Sequence, residues 1–376
     1  MPSSITIHPE QSLLWRVKNI GWGLVALILV VASIGFLSLY SAAGADFQPW
    51  ASRQMIRFVV GMGGMICLAL IDIRRWYRLA WPCYFLGLLL LIVVELMGHI
   101  GMGAQRWINL GFIQLQPSEV MKLAVVIVLA RYFHAAAPED MKSLRFLIVP
   151  ALIIAAPVAL VMLQPDLGTS LMIVMAGGAM FFIAGAPLWL FGVAAALVVI
   201  SIPVGWHFMH SYQKQRVMTF LNPESDPLGA GYHITQSKIA LGSGGFEGKG
   251  FLQGTQSNLN FLPEKQTDFI FTLWAEEWGF IGGLFLLCVF GLIFIYGYGV
   301  SRRCRSNFAR YLSLGVMVNF SLYVFINIAM VMGLIPVVGA PLPLVSYGGT
   351  SMLAVLAGFG LVMCCNINRD SKVTGG

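Results

Sequence analysis

Charged side chains crowd into the stretch FLPEKQTDFIFTLWAEEWG, residues 261–279, although only 10% of this chain is charged and 58% is hydrophobic. The five residues concerned are Glu264, Lys265, Asp268, Glu276 and Glu277. Asp268 comes just before an apolar run, so its carboxylate could act as a general base or, alternatively, cap the start of a helix. Glu276 and Glu277 lie two turns further along, and we interpret them as structural residues, at least one of which pairs with another helix.

Two basic residues have the chemistry to bind an anionic group such as a phosphate. Arg106 lies in the stretch GAQRWINLGFIQLQPSE, and its planar guanidinium suits bidentate phosphate binding. The alternative is an interfacial arginine that contacts lipid headgroups, with Trp107 in the aromatic belt. Glu119 and Lys122 are three residues apart, so they share a helix face and could either bracket a ligand or form a structural salt bridge.

Membrane helices must position these residues, because apolar runs recur along the whole chain. A helix needs about 20 mainly apolar residues to cross the hydrocarbon core of a bilayer. Ten runs meet this description: 20–43, 55–71, 79–97, 118–134, 145–163, 168–184, 187–206, 270–300, 309–333 and 344–366. The predicted fold class is therefore an all-α polytopic membrane protein of ten transmembrane helices, with one long outer loop, residues 207–267, between helices seven and eight.

The distribution of Lys and Arg predicts the orientation, because cytoplasmic loops are enriched in them. Placing the N-terminus inside leaves only Arg53 and Arg106 in the short outer loops. Both termini are then cytoplasmic: segment 1–19 precedes a membrane domain at 20–366, and 367–376 forms the tail. Anchoring of the inner face to anionic lipid explains the net charge of +7, so no nucleic acid partner is needed.

With this orientation, the ionisable residues in or near the membrane converge on its outer half. They are Arg57, Arg106, Glu119, Lys122, Asp166 in the turn LQPDLGTS, and Asp268. Ionisable residues at membrane depth are costly, so each is a functional candidate. Residues 339–351, GAPLPLVSYGGTS, interrupt the last span at its outer start, either as a kinked helix end or as backbone that lines a cavity. The residues alone predict action on an anionic, lipid-like substrate at the outer face.

The loop at 207–267 is longer than a connection requires and mixes apolar with polar residues, so we expect it to be ordered and functional. Its segment YHITQSKIALGSG predicts a short amphipathic helix that is closed by Gly242. The stretch GSGGFEGKG does not match a phosphate-binding P-loop, because Ser243 stands where a Gly is required and Gly250 stands where Ser or Thr is required. We expect a flexible loop there.

Five longer motifs, taken together, resemble the SEDS family (shape, elongation, division and sporulation). They are GAQRWINLGFIQLQPSEVMKLA, QPDLGTS, QRVMTFLNPESDPLGAGYHITQSKIALGSGG, LPEKQTDFIF and PLPLVSYGGTS. The motifs occur in the family's order, and the ten-span arrangement fits the whole chain. The stretches NFLPEKQTDF and SYQKQRVMTFLNPESDPLGAGYH are more similar to the elongation members of the family than to its division members.

This resemblance implies a peptidoglycan glycosyltransferase at the outer face of the cytoplasmic membrane. Such an enzyme transfers the growing glycan chain from undecaprenyl pyrophosphate to the GlcNAc 4-hydroxyl of lipid II, with inversion, and forms a β-1,4 linkage. The resemblance also implies a class B penicillin-binding protein that cross-links the strands, other membrane proteins of the elongation complex, and dependence on a divalent cation, Mg²⁺ or Mn²⁺.

The resemblance further assigns roles to five residues of this chain. The family's essential aspartate falls on Asp268, the expected general base, which could instead bind the metal. Its outer arginine falls on Arg106, its glutamate and lysine of the fourth span on Glu119 and Lys122, and its QPDLG aspartate on Asp166. Arg106 and Lys122 are then expected to stabilise the pyrophosphate leaving group, with Glu119 orienting Lys122.

Two other functions compete with this interpretation. A lipid II flippase would need polar groups that are reachable from both sides, whereas the ionisable residues here lie on the predicted outer side. A non-catalytic scaffold for the penicillin-binding protein would leave Asp268 without a role beyond capping a helix. On the resemblance alone, we expect the eighth and ninth spans and the long loop to contact that partner.

Overall fold

Helices account for most regular structure in this protein, as its apolar runs predict. The computed structural model describes residues 12–97, 99–101, 104–109, 114–137, 139–208, 211–222, 230–258 and 264–373. The α-helices within these ranges are α1 (Leu13–Lys18), α2 (Trp22–Ala42), α3 (Ala51–Leu70), α4 (Ile73–Met97), α5 (Pro117–His134), α6 (Leu144–Leu163), α7 (Leu167–Ala184), α8 (Leu188–Phe208), α9 (Ser211–Leu221), α10 (Ala230–Ser243), α11 (Thr255–Asn258), α12 (Ile270–Arg303), α13 (Asn307–Val331) and α14 (Gly349–Ile367). The all-α prediction is confirmed for the bundle.

Eight helices of the described residues are long and apolar enough to cross a membrane, which makes this a multi-pass membrane protein. They are α2, α3, α4, α6, α7, α12, α13 and α14. Two further predicted spans, 118–134 and 187–206, coincide with α5 and α8. Helix α5 carries three charged residues among its 18, and the described apolar part of α8 is shorter, Leu188–Pro203. The total of ten spans therefore stays a prediction.

The bundle has two chemically different ends. Helices α5 and α13 are antiparallel, since Tyr323 contacts Glu119 near one end and the backbone N–H of Phe308 donates to His134 Nδ1 (3.1 Å) near the other. We call the end where α5 begins and α13 ends the site end, and the opposite end the basic end. At the basic end, arginines donate to backbone carbonyls: Arg16 to Leu70 (2.9 Å), Arg131 to Tyr77 (2.9 Å) and Arg310 to Cys304 (2.8 Å). Which end faces the cytoplasm stays a prediction.

Helix α12 is not the single continuous span that the sequence predicts. Gly279 has non-helical backbone angles (φ 64°, ψ −162°), which divide the helix into residues 270–278 and 280–303. A Cβ at this position would overlap the backbone nitrogen of Gly248 and lie 2.6 Å from the carbonyl oxygen of Phe246. Since L-residues with a side chain rarely adopt this backbone conformation, glycine is required at the break.

The glycine-rich loop at 244–253 fills the break in α12. Its backbone N–H groups at Lys249 and Gly250 donate to the carbonyls of Glu276 and Glu277 (3.0 Å each). In return, the N–H of Phe280 donates to the carbonyl of Gly245 (3.0 Å), so the groups left unpaired by the break find partners in the loop. The loop that the sequence predicts to be flexible is thus hydrogen-bonded to distant residues, and its composition did not indicate these contacts.

Glu276 and Glu277 are structural, as predicted, and their contacts secure the same loop. The Nζ of Lys249 lies 2.8 Å from Glu276 Oε1, which also accepts the N–H of Gln256 (2.9 Å). Glu277 accepts a hydrogen bond from the hydroxyl of Ser41 on α2 and one from the N–H of Leu252 (3.2 Å). Glu277 thus pairs with another helix, α2, and each glutamate also contacts the loop, through Lys249 or Leu252.

The described part of the long excursion is ordered and packs on the site end. The hydroxyl of Ser237 on α10 lies 2.7 Å from that of Thr272 and donates to the carbonyl of Val331 (2.8 Å). The predicted helix at YHITQSKIALGSG is confirmed within α10, but Gly242 does not end it. The N–H of Gly244 still donates to Ala240 (3.2 Å). The left-handed residue that follows the helix is Gly245 (φ 57°).

A small antiparallel sheet lies between α4 and α5, and the sequence did not predict it. Strands β1 (His99–Gly101), β2 (Ala104–Asn109) and β3 (Gln114–Leu115) are arranged in the order β1-β2-β3. Gly101 pairs with Ala104 in the first ladder, and Asn109 with Gln114 in the second. The sheet is relevant to function because Arg106, expected in a loop, lies in β2.

Candidate active site

The backbone around Asp268 is held by hydrogen bonds at three successive carbonyls. The N–H of Tyr347 donates to the carbonyl of Gln266 (2.8 Å), and the hydroxyl of Ser346 donates to that of Thr267 (2.7 Å). The Nδ2 of Asn327 donates to the carbonyl of Asp268 (2.9 Å). Asp268 itself precedes Phe269, which is the N-cap residue of α12. The structure thus fixes the carboxylate-bearing residue one position ahead of the helix cap.

The segment at 339–348 supplies two of these donors and is non-helical, as its prolines and glycines predict. The Ser346 hydroxyl also accepts a hydrogen bond from the N–H of Leu342 (2.7 Å). The backbone carbonyl of Ser346 accepts one from the Nε2 of Gln54 on α3 (2.9 Å). Gly339 has φ 75°, and a Cβ there would lie 3.6 Å from Oδ2 of Asp268. The Asp268 carboxylate therefore lies beside this segment.

Arg106 and Asp166 form one charged pair at the site end. Arg106 Nε lies 3.6 Å from Asp166 Oδ2, and its Nη2 donates to the carbonyl of Pro165 (2.6 Å). Asp166 caps α7, because its Oδ1 accepts the N–H of Thr169 (3.2 Å) and its Oδ2 accepts the Thr169 hydroxyl (2.9 Å). The Arg106 side chain is 27% exposed and that of Asp166 is 7% exposed, so the arginine is the accessible partner.

Glu119 and Lys122 form a second pair, which is buried. Lys122 Nζ lies 2.7 Å from Glu119 Oε1, and these side chains are 1% and 6% exposed, respectively. The other carboxylate oxygen accepts the hydroxyl of Tyr323 on α13, and Lys122 Nζ lies 4.2 Å from the centroid of the Tyr323 ring. Of the two predicted roles, the salt bridge is therefore present in the structure, and Lys122 has its charge compensated.

Helix α13 and the non-helical stretch 338–348 link these groups at the site end. Tyr323, which contacts Glu119, and Asn327, which contacts Asp268, are four residues apart and so share one face of α13. Gly168 lies in the first turn of α7, just after Asp166, and packs against the backbone of Val338. A Cβ built on Gly168 would lie 2.6 Å from the carbonyl oxygen of Val338. All five predicted site residues thus lie at the same end of the bundle.

Two further cations lie near the Asp268 segment. The guanidinium of Arg57 lies 5.0 Å from the ring centroid of Tyr347 and against Gly349. Lys265, three residues before Asp268, is 8% exposed, and its burial lowers the pKa of its ammonium group below the usual value. Both residues lie on or beside the segments that hold the Asp268 backbone.

Sequence reasoning missed three uncharged residues of this site, Gln54, Tyr323 and Asn327. Tyr323 and Asn327 lie in the apolar run 309–333, and Gln54 directly precedes the run 55–71, where charged residues attract attention first. A usable signal was present in α13, where Asn319, Tyr323 and Asn327 recur at four-residue spacing in a mostly apolar helix. Polar side chains on one face of a membrane helix indicate contact with protein rather than with lipid.

The fold and the site together define a polytopic membrane protein with paired charges gathered at one end of its helical bundle. Comparison with protein families identifies it further: the chain belongs to the cell cycle protein family FTSW_RODA_SPOVE, whose family model matches residues 18–372. The predicted membership of the SEDS family is confirmed.

Named relatives and solved structures agree with this assignment. The chain is 42% identical over 367 residues to peptidoglycan glycosyltransferase MrdB of Escherichia coli K12, which covers 97% of this chain and 98% of the relative. It is similar to a chain of a peptidoglycan synthase complex that coordinates polymerization and crosslinking (TM-score 0.81, 32% identity, 93% of this chain and 98% of that one). The rod shape determining protein RodA of Thermus thermophilus has a TM-score of 0.70 and 29% identity, covering 93% of this chain and 97% of that one. The predicted resemblance to elongation members is confirmed.

Proposed function

We propose that this protein is a peptidoglycan glycosyltransferase that polymerises lipid II during cell elongation. The observation that carries the proposal is the convergence of charged residues at one end of a membrane bundle. They are Asp268, in a segment held by hydrogen bonds at three successive carbonyls, and the pairs Arg106–Asp166 and Glu119–Lys122. The 42% identity to a peptidoglycan glycosyltransferase over nearly the whole chain supports the same reaction class.

In the proposed reaction, the 4-hydroxyl oxygen of the lipid II GlcNAc attacks the anomeric carbon at the reducing end of the growing glycan. The bond from that carbon to the pyrophosphate oxygen breaks, and undecaprenyl pyrophosphate leaves with the electron pair. The hydroxyl proton passes to the Asp268 carboxylate. Attack from the face opposite the leaving group inverts the anomeric centre and gives the β-1,4 linkage. A positioned base of this kind contributes about 10²–10⁴-fold.

The cations have different parts in this proposal. Arg106 is the direct contact for the pyrophosphate, because its side chain is partly exposed and can exchange a carbonyl partner for a phosphate oxygen. Lys122 is buried against Glu119, so it acts through its field on the developing negative charge, which a low-dielectric environment strengthens. Glu119 orients Lys122, and Asp166 holds Arg106 at the start of α7.

A divalent cation, Mg²⁺ or Mn²⁺, fits this site as an ion shared with the substrate. Within the described ranges, no group of three or more His, Cys, Asp or Glu residues could hold a metal on its own. Mg²⁺ is commonly held by one or two carboxylates together with substrate phosphates, and Asp268 is the alternative candidate for that carboxylate, in which case it would hold the ion instead of acting as the base. Such an ion would neutralise charge on the pyrophosphate. We expect EDTA to abolish polymerisation and added Mg²⁺ or Mn²⁺ to restore it, as measured by the glycan product.

We further propose that the site end faces outward, with both termini cytoplasmic, and that a class B penicillin-binding protein and other elongation-complex membrane proteins are partners. The similarity to a chain of a peptidoglycan synthase complex supports such a partner. Its proposed contact includes α12, α13 and the long excursion. Between α12 and α13 lies an apolar groove of about 420 Å³, whose lining includes Leu287, Gly291 and Phe325.

The test is polymerisation of lipid II by the purified protein with its penicillin-binding partner, whose transpeptidase is blocked. Asp268→Asn keeps the shape of the side chain and removes its basicity, so we expect loss of glycan product of about 10²-fold or more. Glu264→Gln, in the same segment, is the matched control and should leave activity unchanged. Co-purification with the partner and the thermal unfolding midpoint show that each variant is folded.

The outcomes separate the alternatives. If the Asp268→Asn protein is folded, binds its partner and still polymerises lipid II, then Asp268 is not the general base. Glu119 or Asp166 would become the candidate for that role. A wild-type protein that makes no glycan would contradict the proposed activity, and a lipid II translocation assay in vesicles would then test the flippase function.

A further inference from the structure

We infer that Asn327 is a positioning residue for Asp268. The inference rests on the proposed function and adds to it a residue outside the charged set. Asn327 lies on α13 with 0% exposure, and its Nδ2 donates to two backbone carbonyls, that of Asp268 (2.9 Å) and that of Ala340 (2.7 Å). A carboxamide nitrogen has two hydrogens, so these contacts use its full donor capacity.

The two carbonyls belong to segments that reach the site from separate parts of the chain. One segment, 264–269, leads into α12, and the other, 339–348, leads into α14. Asn327 joins them through one side chain on a third element, α13. The backbone of Gln266 and Thr267 is held by Tyr347 and Ser346, whereas Asn327 holds the carbonyl of Asp268 itself.

The unused half of the Asn327 amide argues against a role in packing alone. Its Oδ1 is buried and has no hydrogen-bond partner among the described residues. A buried polar atom without a partner is costly, and an apolar residue of similar shape, such as leucine, would avoid that cost. The asparagine is therefore explained by its donors, which fix the carbonyl of the proposed base.

Fixing this carbonyl matters because reactions are sensitive to the placement of the reacting groups. The Asp268 side chain has only two rotatable bonds, so a backbone shift is passed almost directly to its carboxylate. A misplacement of about 1 Å can cost about 10²-fold in rate. Binding of the lipid-linked substrates through Arg106, by contrast, does not pass through Asn327. A change at Asn327 should lower kcat and leave KM for lipid II nearly constant.

The experiment measures kcat and KM for lipid II in the wild-type complex with the penicillin-binding partner and in Asn327→Leu. We expect kcat to fall about 10²-fold, with KM within about twofold of the wild type. The matched control is Asn319→Leu, which alters the same residue type on the same buried face of α13, two turns toward the basic end. We expect this control to keep kcat within about threefold of the wild type.

Making Asn327→Leu in a protein that already carries Asp268→Glu distinguishes a positioning role from a general structural role. In Asp268→Glu, the carboxylate is already displaced by one methylene, so adding Asn327→Leu should cost less than about threefold more if Asn327 acts through Asp268. Equal losses in the two backgrounds would overturn the inference. Should Asn327→Leu fail to fold, Asn327→Ser, which keeps one donor, takes its place in both backgrounds.

The remaining outcomes are distinct. An active wild type with an equally active, folded Asn327→Leu overturns this inference and leaves the proposed function standing. An inactive wild type overturns the proposed function itself. A rise in KM with unchanged kcat would assign Asn327 to substrate binding and would also overturn the positioning role.

Discussion

Lys122 lies under the ring of Tyr323 with its Nζ 2.7 Å from Glu119 Oε1, and both charges are withdrawn from solvent. Removing one member of a buried ion pair leaves an uncompensated charge and costs about 3–5 kcal/mol. We therefore expect Lys122→Met and Glu119→Gln each to lower the thermal unfolding midpoint of the purified protein. The double variant, which removes both charges, should recover most of that loss. Circular dichroism on heating measures the midpoints.

The same double variant separates stability from chemistry. We expect it to fold and yet to polymerise poorly, because the proposed function needs the Lys122 ammonium to stabilise the leaving pyrophosphate. If the folded double variant made as much glycan as the wild type, the pair would be purely structural, and Arg106 would remain as the cation for the leaving group.

The charged residues of the site could be predicted from the sequence, whereas the uncharged residues that contact the site could not. Asp268, Arg106 and Asp166 stand out because charge is rare in an apolar chain. Gln54, Tyr323 and Asn327 act through contacts with residues between 13 and 292 positions away. Such pairings depend on tertiary packing, which the spacing within one helix cannot specify.

Among the elements, the break in α12 offers the sharpest test. Gly279 has φ 64°, and a Cβ there would overlap the nitrogen of Gly248, so we expect Gly279→Ala to destabilise the protein by about 1–3 kcal/mol or more. The matched control is Gly299→Ala in the same helix, where a Cβ meets nothing within 4 Å. That change should be neutral or stabilising by about 1 kcal/mol. Thermal unfolding of both variants tests the pair, and an unaffected Gly279→Ala would contradict the proposed requirement for glycine.

Most helices could be predicted because each apolar run carries its own length and composition. The eight helices suited to crossing a membrane fall on predicted runs. The break at Gly279 and the order of the glycine-rich loop could not be predicted, because each depends on the other across about 30 residues of sequence. The strands around Arg106 were missed for a related reason, since they are only two to six residues long.

For the whole molecule, the groove between α12 and α13 gives a prediction about assembly. Gly291 lines it, and a Cβ there meets nothing within 4 Å, so Gly291→Leu would fill the groove without disturbing the fold. We expect this variant to reduce co-purification with the penicillin-binding partner at least about tenfold. Gly299→Leu places the same side chain in open space on α12, outside the groove lining, and should leave the complex intact. Co-purification that survives Gly291→Leu would place the contact elsewhere.

The break in α12 also affects how well this helix matches the thickness of a bilayer. Drawn straight, its 34 residues would extend about 51 Å, whereas a hydrocarbon core measures about 30 Å. Residues 280–303 alone extend about 36 Å, which fits the core with modest tilt. Asp268 lies on the other side of the break, where its backbone is tied to Asn327 and Ser346 through the 264–269 segment. The break thus separates a segment of membrane length, residues 280–303, from the segment that carries Asp268 and from the residues that hold it.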